Sequence, residues 1–153
     1  MSVGQICVCD VDLADENETV WQAAARMHQR GVRSLVIVDE ANEPIGILTD
    51  RDLVERVLAQ SRDASATLVR DVMSANPQTI SEEAPLESAL TLMRGGSIRR
   101  LLVVDGERKL VGILSLEDIL LLFAEEFRLI GGLIEHKTPR GIAEDWVPER
   151  QPR

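Results

Sequence analysis

The chain repeats itself at a fixed offset. Residues 33–53 read RSLVIVDEANEPIGILTDRDL and residues 99–119 read RRLLVVDGERKLVGILSLEDI, 66 positions apart without a gap. Eight of these 21 positions are identical: Arg33/Arg99, Leu35/Leu101, Val38/Val104, Asp39/Asp105, Gly46/Gly112, Ile47/Ile113, Leu48/Leu114 and Asp52/Asp118. Self-similarity at one period sets the architecture before any single residue does. A unit of about 60 residues buries too little surface to be secure alone. The 153 residues are therefore expected to form two small α/β units sharing one core.

The order within each copy follows from periodicity. Val20, Ala23, Ala24 and Met27 fall at helical spacing, as do Leu86, Ala89, Leu90 and Met93. Acids and polar residues at Asn17-Glu18 and Ser81-Glu82-Glu83 look like the helix starts, and Gly31 and Gly95-Gly96 like the ends. The unbroken runs Leu35–Val38 and Leu101–Val104 predict buried strands. Turns at 40–44 and 106–110 lead to short strands at Ile45–Leu48 and Val111–Leu114. Helices are expected over Asp50–Gln60 and Leu116–Arg128, with Gly131-Gly132 breaking the second. The expected division is repeat 1 over 3–60, a polar linker over 61–68, repeat 2 over 69–128 and a tail over 129–153 with Trp146 as its anchor.

Composition narrows the function. A net charge of −9 and a pI of about 4.7 disfavour nucleic acid or an anionic membrane as the main partner. Aromatic content of 3 %, with no Tyr, leaves no base-stacking platform. The longest apolar run, Ile119 to Ala124, falls far short of the roughly 20 residues that span a bilayer. The opening residues lack a signal-peptide pattern. A reducing cytoplasm is expected, because Cys7 and Cys9 are too close for a relaxed disulfide, and Cys7 aligns with the apolar Met73. His28 and His136 have no like-aligned partner. The sequence carries no metal-ligand spacing, no nucleophile–base set, no Walker loop and no GxGxxG, so no enzyme is expected.

The segments LVIVD-x5-IGILTDRDL and LLVVD-x5-VGILSLEDI resemble the CBS domain, named after cystathionine β-synthase. The resemblance covers Val3 to about Phe127. It implies an α/β (α+β) fold of two tandem β-α-β-β-α repeats packed pseudo-symmetrically into one module. It further implies two clefts that take adenosyl ligands: AMP, ADP, ATP or S-adenosylmethionine. Such a module senses its ligand without catalysis, requires no cofactor and often pairs as a homodimer. Its effector would be another protein. The alternative is a structural dimerisation module with vestigial clefts.

Several residues suit that role. Asp52 and Asp118, in the first turn of their helices, are candidates for ribose hydroxyls. Thr49 and Ser115 are candidates for ribose or phosphate, and Arg33, Arg99 and Arg100 for phosphate. Simple helix capping explains Thr49, Ser115 and the two aspartates equally well, and solvation explains the arginines. Asp39 and Asp105 read as turn residues, and Met27 and Met93 as core. Gly46 and Gly112 permit close approach of either backbone or ligand. Arg99-Arg100 against Arg33-Ser34, and Glu117 against Arg51, predict unequal clefts. Leu120 to Phe123 are too continuous for one helix stripe and predict a homodimer surface.

Overall fold

The computed structural model describes residues 1–135. The chain divides into two compact units, residues 1–118 and 119–153. The first holds both sheets and three helices: α1 (Val20–Arg30), α2 (Asp50–Leu53) and α3 (Leu86–Gly96). The fourth helix, α4 (Leu116–Glu135), opens in the first unit and supplies all that is described of the second. The predicted tail beyond 135, with Trp146, lies outside the described residues.

Two three-stranded sheets carry the repeats. One has the order β1 (Ser34–Val38), β2 (Pro44–Thr49), β3 (Ser74–Ala75); the other β4 (Thr79–Ser81), β5 (Arg100–Val104), β6 (Leu110–Ser115). The hairpin registers are superimposable at the 66-residue offset: Leu35 faces Leu48 and Leu101 faces Leu114. The turns behave as the sequence indicated. Asp39 Oδ1 accepts from the N–H groups of Ala41 and Glu43, both at 2.9 Å. Asp105 does the same for Glu107 and Lys109.

The segment leading into each repeat packs on the other repeat. β3, from the second, pairs with β2 of the first, Ser74 facing Ile47. Its counterpart Val8, from the first, bridges Ile113 on β6, with Val8 N donating to Ile113 O at 2.9 Å. Val3 and Val69, both fully buried, sit in short 3-10 turns of these segments. The first repeat's core of Leu35, Ile37, Leu48, Val20, Ala23 and Met27 is completed by Val69 and Val72 from the second.

This exchange accounts for the glycines of the GIL motifs. A Cβ on Gly112 would stand 2.8 Å from Cys7 Sγ and 2.9 Å from Val8 O, and one on Gly46 would strike Met73 Sδ. Of the two readings left open, close approach by backbone and side chain is the one observed. Burial beside Gly112 also sets the chemistry of Cys7. Desolvation, with Cys9 adding to it, pushes its thiol up to about 11, so it stays protonated and inert at neutral pH.

Helix boundaries depart from expectation in three places. α1 and α3 start later than Asn17-Glu18 and Ser81-Glu82-Glu83, at Val20 and Leu86. The carbonyls of those stretches are already engaged: Glu18 O accepts from Val69 N at 2.9 Å, and Glu82 O from Gly4 N at 2.8 Å. Thr19 and Gln22 form the capping box of α1. α3 does end at Gly96, as expected, although neither of its glycines takes the left-handed turn. The left-handed terminator is Ser97 (φ 51°), at the position of Gly31 (φ 66°) in α1. Second, α4 runs through Gly131-Gly132 to Glu135. Two helical glycines cost only about 0.5–1 kcal/mol each, less than a long run of leucine and isoleucine sustains. Third, the helix predicted over Asp50–Gln60 is α only to Leu53. It continues as a π-helical stretch, Val54–Leu58, where Ala59 N donates to Val54 O at 2.9 Å. Val54 and Val57 are β-branched and resist the tighter α turn.

Gly112→Ala is expected to destabilise the fold by about 1–3 kcal/mol through overpacking. Gly95→Ala, with nothing within 4 Å of the added carbon, is expected to stabilise it by roughly 0.5–1 kcal/mol. Urea denaturation of both variants checks the opposite signs.

Candidate functional site

The Thr49-x-x-Asp52 and Ser115-x-x-Asp118 motifs form the same structure. Each hydroxyl residue ends its strand in an extended conformation and caps the helix that follows. Asp52 N donates to Thr49 Oγ1 at 3.2 Å, and Asp118 N to Ser115 Oγ at 3.1 Å. The carboxylate answers through one oxygen. Asp118 Oδ2 accepts from Ser115 N at 2.8 Å and Oγ at 2.6 Å. Asp52 Oδ2 accepts from Thr49 N at 2.9 Å and Oγ1 at 2.8 Å. This is a capping box with aspartate as the reciprocal acceptor. The one proton on each hydroxyl is spent on it. Each motif therefore has one carboxylate oxygen left, Oδ1.

The two Oδ1 atoms differ. Asp52 Oδ1 lies 3.2 Å from the Arg56 guanidinium, and its side chain is only 11 % exposed. Asp118 Oδ1 receives no hydrogen bond among the described residues. It is not sealed from solvent either, since no buried polar side-chain atom there lacks a partner. Asp118 lines a cavity of about 300 Å³ with Ser115 and Glu117, with Val8, Asp10 and Asp12 from the leading segment of repeat 1, and with Arg33 and Arg100. This volume lies at the lower end of the range of small-ligand pockets. Val8, Val11, Val32, Val36 and Ile113 provide its apolar surface.

The cleft carries an acidic surplus. Asp12 is paired with Arg30 at 2.7 Å, and Asp10 with the same guanidinium at 3.4 Å. Arg33 is paired with Asp50 at 2.8 Å. That hydrogen bond, opposed by partial burial, holds the Asp50 carboxyl below its ordinary value, and Arg100 adds a smaller pull. With Arg30 and Asp50 included, Asp10, Asp12, Asp50, Glu117 and Asp118 outnumber Arg30, Arg33 and Arg100.

The sequence-predicted residues are thus partly gathered. Arg33, Arg100, Ser115 and Asp118 line one cleft. Arg99 lines a separate concavity with Leu90, Met93, Arg94 and Ser97. Thr49 and Asp52 belong to the other motif, with Arg56. Asp10, Asp12 and Val8 escaped the sequence reading because an exchange between repeats leaves no local signature. Arg56 had one: it stands four residues after Asp52, where repeat 2 has Leu122.

With this geometry in place, the comparisons define the class. The CBS domain pattern matches residues 3–59 and 69–125, and the chain belongs to the CBS domain family as a tandem pair. An uncharacterised protein of Methanopyrus kandleri is 41 % identical over 120 residues, covering 78 % of this chain; the chain spans 61 % of that relative's length. The CBS domain-containing protein YhcV of Bacillus subtilis is 37 % identical over 118 residues, which cover 77 % of this chain and 82 % of YhcV. Among solved structures, the CBS domain pair of protein MJ0100, in complex with 5′-methylthioadenosine and S-adenosyl-L-methionine, aligns at a TM-score of 0.72 and 30 % identity, over 80 % of this chain and 99 % of that one. A protein with CBS domains from Burkholderia ambifaria aligns at 0.70 and 25 % identity, over 98 % and 100 %. The α+β fold of two pseudo-symmetric repeats is therefore the observed one. No helix among the described residues is long and apolar enough to cross a membrane.

Ser115→Ala is expected to lower stability by about 0.5–2 kcal/mol, the range for losing a helix cap. Chemical denaturation without any ligand measures this capping contribution alone.

Proposed function

We propose that the chain is a regulatory module that binds an adenosyl ligand in the Asp118 cleft and signals through another protein, without chemistry of its own. The observation that carries this reading is the unpartnered Oδ1 of Asp118 at the edge of a cavity of about 300 Å³. A carboxylate oxygen has two lone pairs, which suit the 2′- and 3′-hydroxyls of one ribose. Ser115 positions that carboxylate. Val8, Val36 and Ile113 offer an apolar bed for the base, and Arg33 and Arg100 face the 5′ substituent. The complex of the MJ0100 pair with two adenosyl compounds supports the same chemistry.

Charge selects among the four ligands considered. Arg100 and the partly committed Arg33 meet one phosphate. Each further phosphate meets Asp10, Asp12 and Glu117, and like charges held together are costly. AMP and the cationic S-adenosylmethionine are therefore favoured over ADP and ATP, and Arg99 has no part in this cleft. Calorimetry with the four compounds gives the order directly. ATP as the tightest ligand would overturn the charge argument. No heat from any of them at millimolar concentration would sink the sensor reading and leave a structural module. Asp118→Asn should weaken binding by about 10- to 150-fold, the equivalent of a charge-assisted hydrogen bond of 1.5–3 kcal/mol.

The working form in this reading is a cytoplasmic homodimer. Leu120, Leu121, Phe123, Phe127, Leu129 and Leu133 are all exposed on α4, and a continuous apolar surface of that kind marks a protein interface. A relative of known structure is hexameric, the CBS-CP12 protein of bloom-forming cyanobacteria, so the order of assembly is the quantity to measure. Light scattering should return twice the 17.0 kDa chain mass, and Leu121→Glu should move it toward monomer. A wild-type monomer at tens of micromolar refutes the dimer.

A further inference from the structure

We infer that the module takes one ligand per chain, because Arg56 serves as a built-in occupant of the first repeat's site. The inference rests on the reading of the Asp118 cleft as a ribose site and concerns its sister. In both motifs the capping box consumes Oδ2 and leaves Oδ1 as the only acceptor for a ligand. In the first repeat that oxygen is held in an ion pair. The Arg56 guanidinium stands 3.2 Å from Asp52 Oδ1, donates to Ser74 Oγ at 3.0 Å and donates to the Val72 carbonyl at 2.5 Å.

The position of these partners matters as much as their number. Ser74 is the 66-residue equivalent of Val8, and Val8 is a wall of the open cleft. One guanidinium thus runs from the carboxylate to what its sister uses as the opposite wall. The equivalent of Arg56 in repeat 2 is Leu122, which has no donor to offer. Arg56 also sits on the π-helical stretch that sets α2 apart, and such widened turns are frequent at functional sites.

Competition favours the side chain over a ligand. A ribose hydroxyl is a neutral donor, whereas the guanidinium brings a full positive charge beside a partly desolvated carboxylate and is anchored there by its hydrogen bonds to Val72 and Ser74. It is tethered four residues away and never dilutes. Displacing it would strand Asp52, whose side chain is 11 % exposed, and free the Val72 and Ser74 acceptors in the same step.

Calorimetry and native mass spectrometry with S-adenosylmethionine and AMP test this on the full chain. Wild type should bind one equivalent per chain. Arg56→Leu, the residue type of the second repeat, should bind two, and adding Asp52→Asn should return it to one. Wild type binding two equivalents overturns the inference while leaving the ribose reading intact. An Arg56→Leu chain that keeps its melting transition and still binds one also overturns it. Wild type binding neither compound defeats the ribose reading itself. Should Arg56→Leu fail to fold, the wild-type stoichiometry decides alone, since two equivalents are incompatible with an occupied first site.

Discussion

The close approach of each leading segment to the other repeat's hairpin is the constraint on which the module depends. It is possible only because Gly46 and Gly112 lack a side chain where Met73 and Cys7 press in. Everything downstream inherits it. The segments extend the opposite sheet, supply Val3 and Val69 to the buried interior, and occupy the carbonyls that would otherwise begin α1 and α3 a turn earlier. They also furnish the walls of the cleft, so the strands and helix of one repeat make only part of a site.

The second organising element is a carboxylate whose two oxygens are held differently. Oδ2 closes a helix cap in the absence of any ligand, and this fixes Oδ1 in place. In the proposed reading, a carboxylate held by its own capping box would lose little freedom on meeting a ligand, which favours affinity. The same arrangement makes the remaining oxygen decisive. A single difference four residues along, arginine in one repeat and leucine in the other, decides whether a cation stands beside it.

The regular parts of the fold were legible because they are local. The β-branched and leucine runs Leu35–Val38 and Leu101–Val104 fit buried strands, and the offset of 66 pointed to two like units. Glycine was legible only in part. Gly131-Gly132 looked like a helix stop, yet α4 runs through both, while α3 ends at Gly96 as expected but takes its left-handed turn at a non-glycine, Ser97. For the site, the sequence named Asp118, Ser115, Arg33 and Arg100, which line one cleft. It did not resolve Asp10 and Asp12, because which repeat lends its wall to which cleft is a matter of three-dimensional exchange. The spacing of Asp52 and Arg56 was in plain view, but capping and ligand readings of the aspartate gave no reason to weigh its neighbour.

The mutual exchange of edges has a consequence for a chain of half this length. A lone repeat would carry a hairpin without its third strand and a leading segment with nowhere to lie. Two such chains would satisfy one another through the same bonds that join Val8 to Ile113 and Ser74 to Ile47. The present polypeptide is thus what a symmetric pair becomes when its halves are spliced end to end. Splicing frees the copies from identity. A homodimer of single repeats must carry arginine or leucine twice, whereas here position 56 and position 122 are independent letters. A fused pair, unlike a homodimer of single repeats, can keep its backbone symmetric while the surroundings of its two aspartates differ.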